Sequence, residues 1–447
     1  MSLTSLRRYL DHHAEPIVGL FEAQICRTLG RTYESVVVVP IYDEPLDFLD
    51  RVISQVDNTL VILVVNAPEE DGDRTPLHRT QTLLAQLGAG AAPLTIVPYR
   101  TDTDLLVVDC CTEGRRLPRG QGVGLARKIG ADLAVASIAN QVVTTSWIHC
   151  TDADVMLPLE YFDATDLGND VAVAIYPFSH QPVHENILFY EIWLRYYVTQ
   201  LAAMGSPYAF HTIGSLLKIN VQHYVAVRGF PKRQAAEDFY VLNKLAKTGQ
   251  VIRLKTPQIL LSSRISHRVP FGTGAAMGRL SKNQEFVLYH PQVFRHLKIW
   301  LGLVEELWRD RTNITQIGVA NWWQQTVDKD NILLLKTLQH LGLDKMLGQA
   351  YRQCRDECHF KFFVWVWFDG FRTLKFVHYL RDHYFASLPL TDALRLLAGE
   401  VNAWGNLASE LNLMTLQRIN ERLISIEQQL PAEVGPTMCL EPLRSHR

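Results

Sequence analysis

The segment WIHCTDADVMLP, residues Trp147 to Pro158, sets Asp152 and Asp154 one residue apart where an apolar run stops. At an extended strand end, residues two apart point the same way, so both carboxylates would face one side with only the small Ala153 between them. Two hard oxygen donors with open positions suit Mg2+ or Mn2+, ions usually held by one or two carboxylates while substrate phosphates and water complete the shell. The same spacing recurs at Asp71 and Asp73, Asp102 and Asp104, and Asp328 and Asp330, but only the pair at 152 and 154 ends a strand that reads as buried. A turn or a helix cap is the competing structural account.

Three further stretches carry groups that could act on a phosphate-bearing substrate. GQGVGLARKIGADLA, Gly120 to Ala134, fits neither a dinucleotide fingerprint nor a P-loop, since Arg127 and Ile129-Gly130-Ala131 stand where those motifs need other residues. What remains is a helix start with Arg127 and Lys128, where backbone amides and cations can take an anion; a solvated basic face is the alternative. In AAEDFYVLNKLAKTG, Glu237 and Asp238 open a helix, where acidic residues are also ordinary partners of the helix dipole. In SSRISHRVPFGTG, Arg264 and Arg268 could contact diphosphate oxygens and His267 could complete a metal shell. His180 and His184 follow a later strand and are read first as structural; Cys354, Cys358 and His359 lack an evident fourth ligand for zinc.

The elements that must position these groups alternate between β-branched runs and amphipathic stretches, the pattern of an α/β fold with a parallel sheet covered by helices. The runs are Ser35 to Pro40, Leu60 to Asn66, Leu94 to Tyr99, Ser146 to Asp154 and Asp170 to Pro177; helices are predicted over Pro45 to Gln55 and Gly122 to Ile138. In such a sheet the ligand lies beyond the carboxyl ends of the strands, where Tyr42, Asp43, Glu44, Asn66, Asp152 and Asp154 fall. From about Leu280 the apolar residues take helical intervals, which predicts an appended helical domain. The aromatic cluster around Trp365 and Trp367 reads as core, with an acceptor surface or shallow membrane contact as the functional alternative.

Composition narrows the function. A chain of 447 residues, 47% hydrophobic and 20% charged with net charge −2, is long enough for more than one packed domain and offers no field that would favour nucleic acid. Its first residues lack the apolar stretch of a secretory signal and its seven scattered cysteines read as reduced thiols, so a cytoplasmic protein is expected.

Taken together and in this order, VVVVPIYDEPLDFLDRVI, GVGLARKIGADLA, CTDADVMLP and AEDFYVLNKLAKTG resemble the GT-A-fold glycosyltransferases, specifically the family-2-like inverting enzymes, over about Ser35 to Gly274. The resemblance implies a GT-A catalytic domain over 35–279, preceded by a helical segment 1–34 and followed by a helical domain 280–447. By the same resemblance, Pro40, Tyr42 and Glu44 lie at the nucleotide, Arg127 near the nucleotide or its phosphates, and Asp152 toward the sugar and ribose. Asp154 sits on the divalent metal, and Asp238 is the general base with Glu237 beside it. The implied partners are a nucleotide-sugar donor and an acceptor hydroxyl on a glycan, a lipid-linked molecule or a small molecule. Asn66 stands where many relatives carry a base-reading aspartate, and no Gln-x-x-Arg-Trp element of processive enzymes is present, which points to single addition. Two other classes are weighed against this. A sugar-1-phosphate nucleotidyltransferase would carry a Gly-rich Arg signature after VVVVP and would consume nucleoside triphosphate; a non-catalytic sugar-binding module would bind without turnover.

Overall fold

The computed structural model describes residues 3–25, 29–53, 56–69, 74–163, 167–264, 286–327, 331–398 and 412–436. Two compact units are present: Met1–Val183 with Thr212–Gly278, and His184–His211 with Arg279–Arg447.

In the first unit the chain runs α1 (Leu3–His12), α2 (Ile17–Leu20), β1 (Ser35–Ile41), α3 (Phe48–Val52), β2 (Thr59–Asn66), α4 (Thr75–Gln86), β3 (Leu94–Pro98) and β4 (Asp104–Cys110). It continues through α5 (Gly122–Ala139), β5 (Trp147–Cys150), β6 (Val171–Ile175) and β7 (Phe178–Gln181). After α6 (Glu185–Ala203), which belongs to the second unit, it resumes with β8 (Leu217–Asn220), α7 (Val221–Ala226), α8 (Glu237–Leu245), β9 (Gln250–Arg253) and β10 (Ile259–Ser262). The main sheet has the order β9-β6-β8-β5-β1-β2-β4-β3 in this unit. It is mostly parallel, with β3 antiparallel to β4 and β8 antiparallel to both β5 and β6. β7 and β10 form a separate parallel pair.

The runs predicted as strands at 35–40, 60–66, 94–99 and 170–177 fall on β1, β2, β3 and β6, and that at 146–154 is extended only over Trp147–Cys150; β4, buried almost throughout like β1 and β2, is not among the predicted runs. Pro40 is tolerated inside β1 for a local reason. Val38 O accepts from Thr151 N–H at 3.1 Å, and the β1–β5 pairing stops at Val38 and Cys150. Pro40, two residues on, faces the same side beyond the last rung, where no ladder needs its missing N–H. Helix α5 lies against β1 and β2 and is buried from Gly124 to Ala139. Gly130 permits that approach, since a Cβ there would come within 2.3 Å of Val38 Cγ1.

The division into units differs from a single boundary at residue 280. α6 carries Leu188, Ile192 and Tyr196 into the same core as Trp300, Trp322, Phe360 and Leu416, so a helix from the middle of the sequence joins the helical unit. A single transferred helix leaves no shift in composition to read. Trp365 and Trp367 pack partly buried against that core from the helix Glu357–Trp367. At the other end of the sequence, α1 belongs to the sheet-bearing unit through Tyr9, whose hydroxyl donates to Asp132 of α5 at 2.6 Å. Among the described residues no helix is long and apolar enough to cross a membrane.

Candidate active site

The first unit brings five carboxylates and two guanidinium groups together at the carboxyl ends of β1 and β5. Arg127 is the centre of one half. It projects from the second turn of α5 and is 3% exposed. Its Nη2 donates to Asp152 Oδ1 at 2.6 Å, its Nε to Glu237 Oε1 at 2.9 Å, and its Nη1 to the carbonyl of Thr151 at 3.3 Å. Burial alone would favour loss of its proton, but Asp152 and Glu237 outweigh that and hold the guanidinium charged. One planar fork therefore ties the end of β5 to the start of α8, a geometry that suits arginine and not lysine.

Arg264, just past β10, is the centre of the other half. It takes the buried Glu44 carboxylate with both Nη groups, Nη1 lying 2.8 Å from Oε2, and its Nε is 2.9 Å from Asp154 Oδ2. Burial again works against the charge and is offset by Glu44, Asp154 and Asp152.

The two aspartates do not leave an extended strand on one side. β5 ends at Cys150 and the chain turns at Ala153 and Asp154, with Val155 N–H donating to Asp152 O at 3.4 Å. Each carboxylate consequently meets its own arginine, although Asp152 still acts electrostatically on Arg264. Among the described residues no group of three His, Cys, Asp or Glu side chains is gathered for a metal. The donor set fits a hard divalent ion in a narrower way: two partly exposed carboxylates, Asp152 and Asp154 at 36% and 27% side-chain exposure, with substrate oxygens and water as the remaining ligands.

Asp238 follows Glu237 in the first turn of α8. Its carboxyl is half-buried and is pushed up to about 7, first by burial and then by the neighbouring charge of Glu237, against the Phe239 N–H that donates to its Oδ1 at 2.7 Å. The residue before the pair, Ala236, is in the left-handed region at φ 61°, an uncommon conformation for a residue with a Cβ. The turn that precedes α8 also reaches α5: Arg233 O accepts from Gly124 N–H at 3.0 Å, so one of the opening amides of α5 is already occupied. Lys128 faces away from Arg127, donating to Tyr9 OH, His13 O and Asp132 at 2.9–3.0 Å. The anion-binding account of this helix start therefore loses a cation and an amide.

Of the other residues singled out, Tyr42 is half-buried beyond β1, and Asn66 at the end of β2 donates its amide to Ile41 O and Val64 O at 3.0 and 3.1 Å. Asp43 has φ 58° and is held from α4, its N–H donating to Thr80 Oγ1 at 2.9 Å and its carboxylate accepting from Arg79. His184 caps α6 by accepting from Ile187 N–H, and His180 is buried edge-on to Phe178. His267 and Arg268 lie outside the described residues.

Sequence reasoning did not find Gly214, in the turn before β8. A Cβ there would lie 2.8 Å from Arg127 Nη2, so the glycine makes room for the guanidinium. A single glycine in HTIGSLL was the one visible signal. Gly214→Ala is expected to cost about 1–3 kcal/mol in urea unfolding, because the enclosed fork cannot retreat; unchanged stability would show that the pocket gives way.

No family model and no curated protein matches this chain. Among solved structures it is similar to a mannosyltransferase from Pyrobaculum calidifontis in complex with GDP-Man and Mn2+, at 14% identity, covering 95% of this chain and 97% of that one, with a TM-score of 0.29. Likeness of that degree carries nothing about the chemistry of this chain.

Proposed function

We propose that the chain is a glycosyltransferase that uses Mn2+ or Mg2+ to move a sugar from a nucleotide-diphosphate donor to an acceptor hydroxyl, with inversion and by single addition. The observation that carries this reading is the Arg127 fork, which joins Asp152, a metal-type carboxylate, to Glu237, the neighbour of a carboxyl poised near neutrality. Asp154 and Asp152 would hold the ion, which supplies charge stabilisation at the diphosphate leaving group. Among the described residues, Glu44, Asp152, Asp154 and Glu237 outnumber the two guanidinium groups that face them, so a divalent ion would also offset the repulsion that a diphosphate meets on arrival.

Asp238 takes the proton from the acceptor hydroxyl as its oxygen bonds to the anomeric carbon and the bond from that carbon to the diphosphate oxygen breaks. Attack from the face opposite the leaving group inverts the centre. Arg127 acts as a positioning residue, orienting Asp152 and Glu237 from within the protein. Pro40, Tyr42, Glu44 and Asn66 border the nucleotide at the ends of β1 and β2, and Arg264 meets the diphosphate; Arg268 and His267 complete the donor and metal contacts in the sequence-based account.

Calorimetric titration with a panel of nucleotide sugars, in Mn2+ and in EDTA, tests the proposal. One donor is expected to bind only with metal, and Asp154→Ala is expected to lose that binding. Absence of binding by every donor in either condition would overturn it.

A further inference from the structure

We infer that Arg264 is an internal counter-cation for Asp154, so that a divalent ion by itself is held out and an ion together with a diphosphate is admitted; this rests on the function proposed above. Asp154 Oδ2 lies 2.9 Å from the Arg264 Nε, and the same guanidinium is clasped by the 5%-exposed Glu44. A divalent ion on either Asp154 oxygen, at its usual distance of about 2 Å, would stand close to the Arg264 charge, so its binding is opposed unless that guanidinium turns away.

The cost of turning away depends on what arrives. An ion alone would leave the arginine charge beside a second cation and would draw from the buried Glu44 a guanidinium that contacts it with both Nη groups, which is expensive. A diphosphate gives Arg264 a replacement anion with the bidentate geometry that guanidinium groups favour. Ion and diphosphate then promote each other's binding, and linkage makes that coupling equal in both directions. The two arginines differ in freedom to do this. Arg127 is sealed at 3% side-chain exposure, whereas Arg264 is 34% exposed on its side chain and has water into which to swing.

The test is Mn2+ binding to the full chain, followed by electron paramagnetic resonance with and without UDP or GDP. For Arg264→Gln we expect Mn2+ alone to bind on the order of tenfold tighter than to the wild type, and nucleotide to add less further affinity. Asp154→Asn in the Arg264→Gln background should return binding to the weak level. If removing the guanidinium from beside Glu44 impairs folding, Glu44→Gln combined with Arg264→Gln removes both charges and should show the same gain. Mn2+ affinity without nucleotide that is unchanged or weaker in the folded variants overturns the inference, even where the wild type binds a nucleotide sugar. Conversely, a gain in Mn2+ affinity that depends on Asp154, in a protein that binds no nucleotide sugar, sustains the counter-cation and overturns the proposed function.

Discussion

Asp238→Asn is expected to lower sugar transfer about 10²–10⁴-fold while donor binding is retained, the range that a lost general base accounts for. The wild-type rate should rise with pH through an apparent value near 7, since that is where burial and Glu237 place the Asp238 carboxyl, and the variant should lose that limb. The same shift has a consequence for stability. With a native value of about 7 against an ordinary 3.8, the folded protein keeps a proton that the unfolded chain has given up, so its stability contribution is full below about pH 4 and declines as pH rises towards 7. Asparagine carries no such dependence. The variant should therefore be more stable than the wild type at pH 8 and lose that advantage at pH 4, as read by thermal unfolding at both values. Equal pH profiles for transfer in the two proteins would remove Asp238 from the role of base.

Arg127→Met should be the most destabilising single change in the site. It leaves Glu237, 4% exposed, without the guanidinium that faces it and frees Asp152, and breaking one side of a buried pair costs about 3–5 kcal/mol. Arg127→Lys should fall between, keeping the charge but not the fork that spans two carboxylates. Urea unfolding at pH 8 checks the order. A Met variant as stable as the Lys variant at pH 8 would show that the pairs contribute no net stability.

The elements most legible in the sequence were those whose surroundings are uniform. β1 and β2 announce themselves because both faces of each are covered, which demands unbroken apolar residues, and α5 because helix spacing persists over Gly122–Ala139 despite its glycines. Short strands were harder. β8 and β9 have four residues each, LKIN and QVIR, too few to display a period, and α6 reads like any other helix of the first two-thirds although its apolar residues pack with the helical unit.

At the site, the sequence by itself determined which chemical groups stand beyond strand ends, Glu44, Asn66, Asp152 and Asp154, and which open a helix, Glu237 and Asp238, all from residue type and local position. Local pattern can do this because a strand end or a helix start depends on a few neighbouring residues. Only the tertiary structure decided how those groups pair. Arg127 meets Asp152 across 25 residues and Glu237 across 110, and Arg264 meets Glu44 across 220; no local preference encodes contacts at those separations. The same holds for Gly214, whose role is the space it leaves for a guanidinium from another element, and for Asp238, whose acidity is set by burial that exists only once α8 has docked.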